Sequence, residues 1–223
     1  MNYKHKYPVV DIFQSLQGEG LRQGRQTLFI RFFGCNLKCS FCDEPHHLNA
    51  SKVVEFTAQQ LISFCVTQFP QIFYIPRSAV CLTGGEPLIH NIVPFVDLCL
   101  KEGCLVQIET NGTQEMPLSP GLRTFVHTTV APKESCDFHI HESLWFFIDE
   151  IKLVCNAKNG ESIVNFFLES HRENIEALDI PIFIQPENNQ NDIHEENSKR
   201  CIELANDYCL HFSPQLHKIL KVA

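Results

Sequence analysis

The chain has 223 residues, of which 44% are hydrophobic and 20% charged, with a net charge of −8. That length suffices for one domain with a full core, and residues 1–223 are read as a single domain. No basic stripe accompanies the acidic balance, which argues against nucleic-acid binding, and no apolar run is long enough to span a bilayer.

In chain order, residues 9–13 read as a short apolar strand. The following stretch, Gln14-Ser15-Leu16-Gln17-Gly18-Glu19-Gly20, is rich in turn residues. Two glycines there suit either close backbone approach to a ligand or an ordinary hairpin turn. Residues 27–33 form a continuous β-prone run that carries Arg31. A charge inside such a strand is paired, points at an anion, or lies on an exposed edge. The run leads directly into Gly34-Cys35-Asn36-Leu37-Lys38-Cys39-Ser40-Phe41-Cys42-Asp43, three thiols spaced CxxxCxxC. Three such thiolates can hold three irons of a cubane and leave the fourth iron open to bind a small molecule. A structural zinc site completed by His46 or His47 is the alternative.

Thr57 can cap a helix over 57–69, whose apolar face is Leu61, Ile62, Cys65 and Val66. The strand 78–83 ends in Gly84-Gly85-Glu86-Pro87, where glycines admit a ligand to the backbone and the Glu86 carboxylate can accept from an ammonium or amide. A helix over 91–100 follows. The strand 104–109 ends in Thr110-Asn111-Gly112-Thr113, 124–130 in Ala131-Pro132-Lys133, and 180–184 in Gln185-Pro186-Glu187-Asn188. Between the last two lie the strand 149–155, with Glu150 and Lys152 on one face as a candidate ion pair, and the helix 162–170. A helix over 197–208 precedes a strand-like tail. This alternation predicts an α/β fold, an open or partial parallel β/α barrel of about six strands, with loop-only links between its third and fifth strands. Every unusual motif falls just after a strand, where such folds build their sites. The cysteines number eleven, an odd count, and residues 1–7 carry no signal-peptide pattern. A reducing, cytoplasmic compartment is therefore expected, with the cysteines outside the CxxxCxxC loop as small buried hydrophobes.

The CxxxCxxC loop followed by Gly-Gly-Glu-Pro resembles the radical S-adenosylmethionine (SAM) enzymes. Leu16-Gln17-Gly18-Glu19-Gly20, the segment 29–39, Thr83-Gly84-Gly85-Glu86-Pro87 and Glu109-Thr110-Asn111-Gly112 narrow the resemblance to the 7-carboxy-7-deazaguanine synthase family. It covers nearly the whole chain, and the tail Gln215-Leu216-His217-Lys218 also fits. The resemblance implies a barrel of the radical SAM type and a 4Fe–4S cluster on Cys35, Cys39 and Cys42. SAM would be held by Phe41, Cys42, Asp43, Gly85, Glu86, Ala131, Pro132, Lys133, Gln185, Pro186, Glu187 and Asn188. Leu16, Gln17, Gly18, Arg31, Thr83 and the C-terminal carboxylate of Ala223 would hold a pterin substrate, Arg31 through its carboxylate. The implied reaction converts 6-carboxy-5,6,7,8-tetrahydropterin to 7-carboxy-7-deazaguanine: a 5′-deoxyadenosyl radical takes hydrogen, the ring contracts and ammonia leaves. The family further implies Mg²⁺ on the substrate carboxylate, a flavodoxin-like or other one-electron donor, and a homodimer.

One position departs from the family. Where Thr or Ser usually follows Cys-Asp, this chain has Glu44, which bears on the Mg²⁺ site but not on the radical chemistry. Two rival readings are a radical SAM activase that makes a glycyl radical on a partner protein and a zinc-stabilised binding module.

Overall fold

The computed structural model describes residues 5–44, 49–75, 78–189 and 192–222. His46, His47 and Ala223 lie outside them. The described strands are β1 (Lys6–Leu16), β2 (Gln26–Phe32), β3 (Val54–Thr57), β4 (Ala79–Gly84), β5 (Leu105–Thr110), β6 (Val126–Val130), β7 (Ile148–Cys155), β8 (Ile182–Pro186) and β9 (His211–Phe212). They form one open sheet in the order β3-β1-β2-β4-β5-β6-β7-β8-β9. From β2 onward every pairing is parallel, so β2 and β4 to β8 supply the six expected staves, and the two-residue β9 extends their edge.

The opposite edge departs from expectation. β1 runs antiparallel to β2 and β3 antiparallel to β1. The Gln17–Arg25 stretch is thus a hairpin connection, closed by Gln17 N donating to Arg25 O at 2.8 Å and Gly24 N to Gln17 O at 2.8 Å. The same loop lines the cavity described below through Gln17, Gly18 and Glu19.

Helices α1 (Ala58–Gln68), α3 (Val93–Lys101), α4 (Gly160–Ser170) and α6 (Glu195–Asp207) match the periodic segments. Three shorter helices were not expected: α2 (Pro70–Tyr74), α5 (Arg172–Leu178) and α7 (Leu216–Leu220). Thr57 caps α1 as expected. Its hydroxyl accepts from Gln60 N at 3.3 Å while Gln60 Oε1 accepts from Thr57 N at 2.9 Å, a reciprocal cap worth about 1 kcal/mol. The connections from β5 to β6 and from β6 to β7 carry only short 3-10 turns, as the loop-rich sequence there implied.

Strand alternation separates core from cavity. Ile30, Leu82, Ile108, Leu153 and Ile184 are fully buried in one hydrophobic cluster with Leu61, Phe95, Val164 and Leu204 from the helices. Each such side chain contributes about 1.5–3 kcal/mol through burial. Their strand neighbours Arg31, Thr83, Glu109, Lys152 and Gln185 point the other way and line a cavity. Cys65, Cys81, Cys99, Cys104, Cys155 and Cys201 are buried, while Cys136 is half-buried and Cys209 exposed.

Candidate active site

The cavity, about 260 Å³, opens at the carboxyl ends of the parallel strands. Cys35, Cys39 and Cys42 all line it. Their loop is clamped against the Gly-Gly-Glu turn, where Gly85 N donates to Phe32 O at 3.0 Å and Glu86 N to Gly34 O at 2.9 Å. The approach is so close that a Cβ on Gly85 would sit 1.7 Å from Gly34 O, and one on Gly84 would sit 2.5 Å from Phe32 N, at a φ of +107°. The turn thus requires both glycines. Gly85→Ala is expected to push the thiol loop outward, so that iron and sulfide bound per chain after anaerobic reconstitution fall severalfold. Wild-type iron content in that variant would show that the clamp does not set the loop.

A second strand-end loop fixes the first thiol. Asn111 Nδ2 donates to Asn36 Oδ1 at 3.0 Å and lies 3.9 Å from Cys35 Sγ, while Asn36 Nδ2 reaches Thr113 Oγ1 at 2.7 Å. Leu37 N also donates to Cys35 Sγ at 3.4 Å. Burial raises the thiol pKa values of Cys35 and Cys42, so a cation is needed to hold them as thiolates. Among the described residues no three His, Cys, Asp or Glu side chains form a site for a single metal ion. A polynuclear cluster has no need of such convergence, because each thiolate meets its own iron. Three half-buried to exposed thiols beside a cradle kept free of Cβ atoms fit such a cluster.

Glu86 serves the wall. Its side chain is fully buried and accepts from Leu88 N at 2.9 Å, Thr110 Oγ1 at 2.7 Å and Asn111 N at 2.7 Å. Burial nevertheless raises its carboxyl pKa. The Glu86 carboxylate ties two strand-end loops together behind the cavity lining. Pro132, also expected at SAM, is buried and absent from the lining.

The remaining described candidates converge. Leu16, Gln17, Gly18, Arg31 and Thr83 line the same cavity as Phe41, Asp43, Glu44, Gly85, Ala131, Lys133, Gln185, Pro186, Glu187 and Asn188. Arg31 lies 2.8 Å from Glu44 and 3.6 Å from Asp11, its guanidinium 4.6 Å from the Phe13 ring centroid.

Sequence reasoning missed the charged network of the inner wall. Lys152 pairs with Glu19 and lies 3.9 Å from Glu109, not with Glu150 as their spacing suggests. Burial opposes the Lys152 charge, but Glu19 and Glu109 outweigh it and raise its pKa. Burial likewise opposes charge on Glu19, and Lys152 overcomes it, holding that carboxyl below its usual range. Glu109 goes the other way: burial dominates and raises its pKa. Gln17 Nε2 donates to Glu109 Oε1 at 2.8 Å. Glu150 instead accepts from Leu21 N at 2.6 Å and Thr129 Oγ1 at 2.6 Å.

Gln215 joins four segments. Its Nε2 donates to Glu19 Oε1 at 2.9 Å and Asp43 Oδ2 at 3.1 Å, and its Oε1 accepts from Asn188 Nδ2 at 3.0 Å. Lys218 adds an ion pair to Asp43 at 3.0 Å, and with Gln215 it lowers the Asp43 pKa against the effect of burial. The tail signal at 215–218 was present in the sequence, but its partners lie up to 198 residues away, as in the Leu216–Gly18 bond.

Comparison with known proteins agrees with this geometry. A family model described as a 4Fe-4S single cluster domain matches residues 16–114. The chain is 30% identical over 213 residues to the 7-carboxy-7-deazaguanine synthase of Aquifex aeolicus (strain VF5), covering 93% of this chain and 90% of that one. It is 34% identical over 187 residues to the Clostridium acetobutylicum enzyme of the same name, covering 81% and 75% respectively. The crystal structure of QueE from Escherichia coli superposes with a TM-score of 0.76 at 27% identity, covering 95% of each chain. The structure of a histidine-tagged anSMEcpe with bound AdoMet shares the fold, with a TM-score of 0.53 at 13% identity, covering 80% of this chain and 60% of that one.

Proposed function

Because the chain belongs to the 7-carboxy-7-deazaguanine synthase family, we propose that it converts 6-carboxy-5,6,7,8-tetrahydropterin to 7-carboxy-7-deazaguanine with loss of ammonia, a radical SAM lyase step in queuosine biosynthesis. The observation that carries this reading is the convergence of three thiols, the Gly84–Gly85 turn and Arg31 on one cavity, in a chain that matches a named relative over 93% of its length.

Cys35, Cys39 and Cys42 would hold the 4Fe–4S cluster, with the Asn111 amide orienting Cys35. When bound, that cluster and SAM supply the one-electron bond cleavage and hydrogen abstraction that no side chain can perform. Gly85, Ala131, Lys133 and residues 185–188 would form the SAM side of the cavity. Leu16, Gln17, Gly18 and Thr83 would face the pterin. Gly18 has no room for a side chain there, since a Cβ would fall 2.1 Å from His217 Nδ1. Arg31 would take the substrate carboxylate, for which its planar fork is suited. The Lys152–Glu19–Glu109 network would keep the inner wall rigid and present fixed polar atoms to the heterocycle, so that the reacting carbon is held in one position. The electron donor in this reading is a flavodoxin-like or other one-electron carrier protein, and the assembly a homodimer.

Mg²⁺ would sit at the substrate carboxylate, beside Arg31 and Glu44. Glu44, which occupies the family's Thr or Ser position, has its Oε2 at 2.8 Å from Arg31 and so does not offer a free carboxylate to a cation. Glu44→Thr is expected to retain turnover and to change its dependence on added Mg²⁺; an unchanged metal titration would remove Glu44 from any role in metal binding.

Mass analysis of the product formed from the carboxylated pterin with SAM and a reductant tests the function itself. A deazaguanine product supports the assignment. Reductive cleavage of SAM with the pterin unchanged would overturn it.

A further inference from the structure

Resting on the reading of Arg31 as the substrate's carboxylate anchor, we propose that Glu44 is a built-in stand-in for the substrate carboxylate. It closes Arg31 in the empty site and swings to Lys52 when the substrate binds.

Three observations carry this. The first is charge. The cavity is lined by five carboxylic side chains, Glu19, Asp43, Glu44, Glu109 and Glu187, against three basic ones, Arg31, Lys133 and Lys152. Lys218 offsets Asp43 from outside the lining, which leaves an excess of one carboxylate, and an entering carboxylate adds to it unless one of these groups withdraws. The second is the commitment of the basic groups. Lys152 is held by Glu19. Arg31 is held by Glu44 at 2.8 Å and approached by Asp11 at 3.6 Å. Lys133, the third, belongs to the SAM side in this reading, so a substrate carboxylate competes with Glu44 for the Arg31 guanidinium.

The third is the position of the pair. Arg31 and Glu44 line the reaction cavity and also a second hollow, whose other described lining residues are Val10, Asp11 and Lys52. The pair is thus a partition between two spaces. Lys52, on the far side, has no ion pair with any described residue. A carboxylate displaced from Arg31 finds a cation there and avoids the cost of being left unpaired. Glu44 and Lys52 both line that hollow, so the exchange stays within one space. The consequence is selectivity. A pterin without a carboxylate cannot displace Glu44 and gains nothing from Arg31, whereas a carboxylated one opens the partition as it binds.

The test is equilibrium binding of two probes, 6-carboxypterin and 6-methylpterin, to the reconstituted holoprotein with SAM, without added divalent cation. Glu44→Gln is expected to tighten 6-carboxypterin by about tenfold and to leave 6-methylpterin unchanged. Lys52→Ala is expected to weaken 6-carboxypterin by a few-fold, and to have no effect in the Glu44→Gln background. Equal affinity of wild type and Glu44→Gln for 6-carboxypterin, or a Lys52 effect that persists without Glu44, overturns the proposal. So does a parallel change in both probes, which would mark a purely structural effect. Arg31→Lys separates this failure from failure of the underlying reading. If Arg31→Lys leaves 6-carboxypterin binding intact, the anchor assignment itself falls. If it weakens binding while the Glu44 and Lys52 variants show no coupling, only the exchange falls.

Discussion

Replacing Cys39 by alanine is expected to leave a folded, colourless protein. After anaerobic incubation with iron and sulfide it should lack the brown cluster absorbance of the wild type, and turnover should fall by at least about a thousandfold. Cys39 is half-buried on the cavity wall, so loss of its sulfur removes little packing and the melting temperature of the cluster-free protein should barely move. The same change at Cys65 has the opposite signature. That thiol is fully buried in the hydrophobic core and lies on α1, away from the cavity lining. Cys65→Ala is expected to lower stability by roughly 1 kcal/mol through the void it leaves, with cluster content and activity preserved. Iron and sulfide analysis of both variants, set beside their thermal melts, distinguishes ligand from filler. A brown, active Cys39→Ala protein would remove the cluster assignment.

The second large effect is at Lys152. Lys152→Ala leaves the half-buried Glu19 and Glu109 side by side without their cation, a loss whose upper bound is the roughly 3–5 kcal/mol of a fully buried broken pair. Its pH dependence follows from the groups that remain. In the wild type, the Glu19 carboxyl is held below its usual range against burial by Lys152, so its contribution to stability is present at neutral pH and lost as pH falls through the acidic range. Without Lys152, burial and mutual repulsion raise both carboxyl pKa values. Groups with raised values favour the folded state only while protonated, and that advantage disappears as pH rises. The stability gap between wild type and variant should therefore be widest near pH 8 and narrow towards pH 5. Urea unfolding at the two pH values measures it. A gap that is constant with pH would show that the two carboxylates do not feel Lys152.

Most of what builds the cavity was legible because it obeys short-range rules. The strand-and-loop rhythm put Gly84–Pro87 and Gln185–Asn188 at the carboxyl ends of strands, and glycines there marked where backbone must approach something. Arg31 stands out in the sequence as a charge that needs a partner, and the departure at Glu44 is visible too. That each is the other's partner was not legible, because no periodicity links a strand residue to a loop 13 positions later. The Lys152 error has the same origin. Two opposite charges at i and i+2 on a strand face look like a pair, yet Glu150 is taken by Leu21 and Thr129, and Lys152 by residues 133 and 43 positions away. The antiparallel edge escaped for another reason: Val54–Thr57 is four residues long and has no alternating burial pattern, so it reads as the approach to a helix. Glu86 illustrates a limit of motif reasoning. The motif located the turn correctly, but which way a carboxylate points depends on donors at Thr110 and Asn111, which belong to a different strand.

The wall of the cavity is completed by contacts between residues far apart in the chain: Leu216 N donates to Gly18 O at 2.9 Å, and Gln215 bridges Glu19 and Asp43. During synthesis the thiol loop leaves the ribosome long before residues 215–218 exist to cover it. The early segment therefore spends most of translation with its sulfurs open to oxidation and to stray metals, and a sheltered cofactor pocket exists only after the tail has docked.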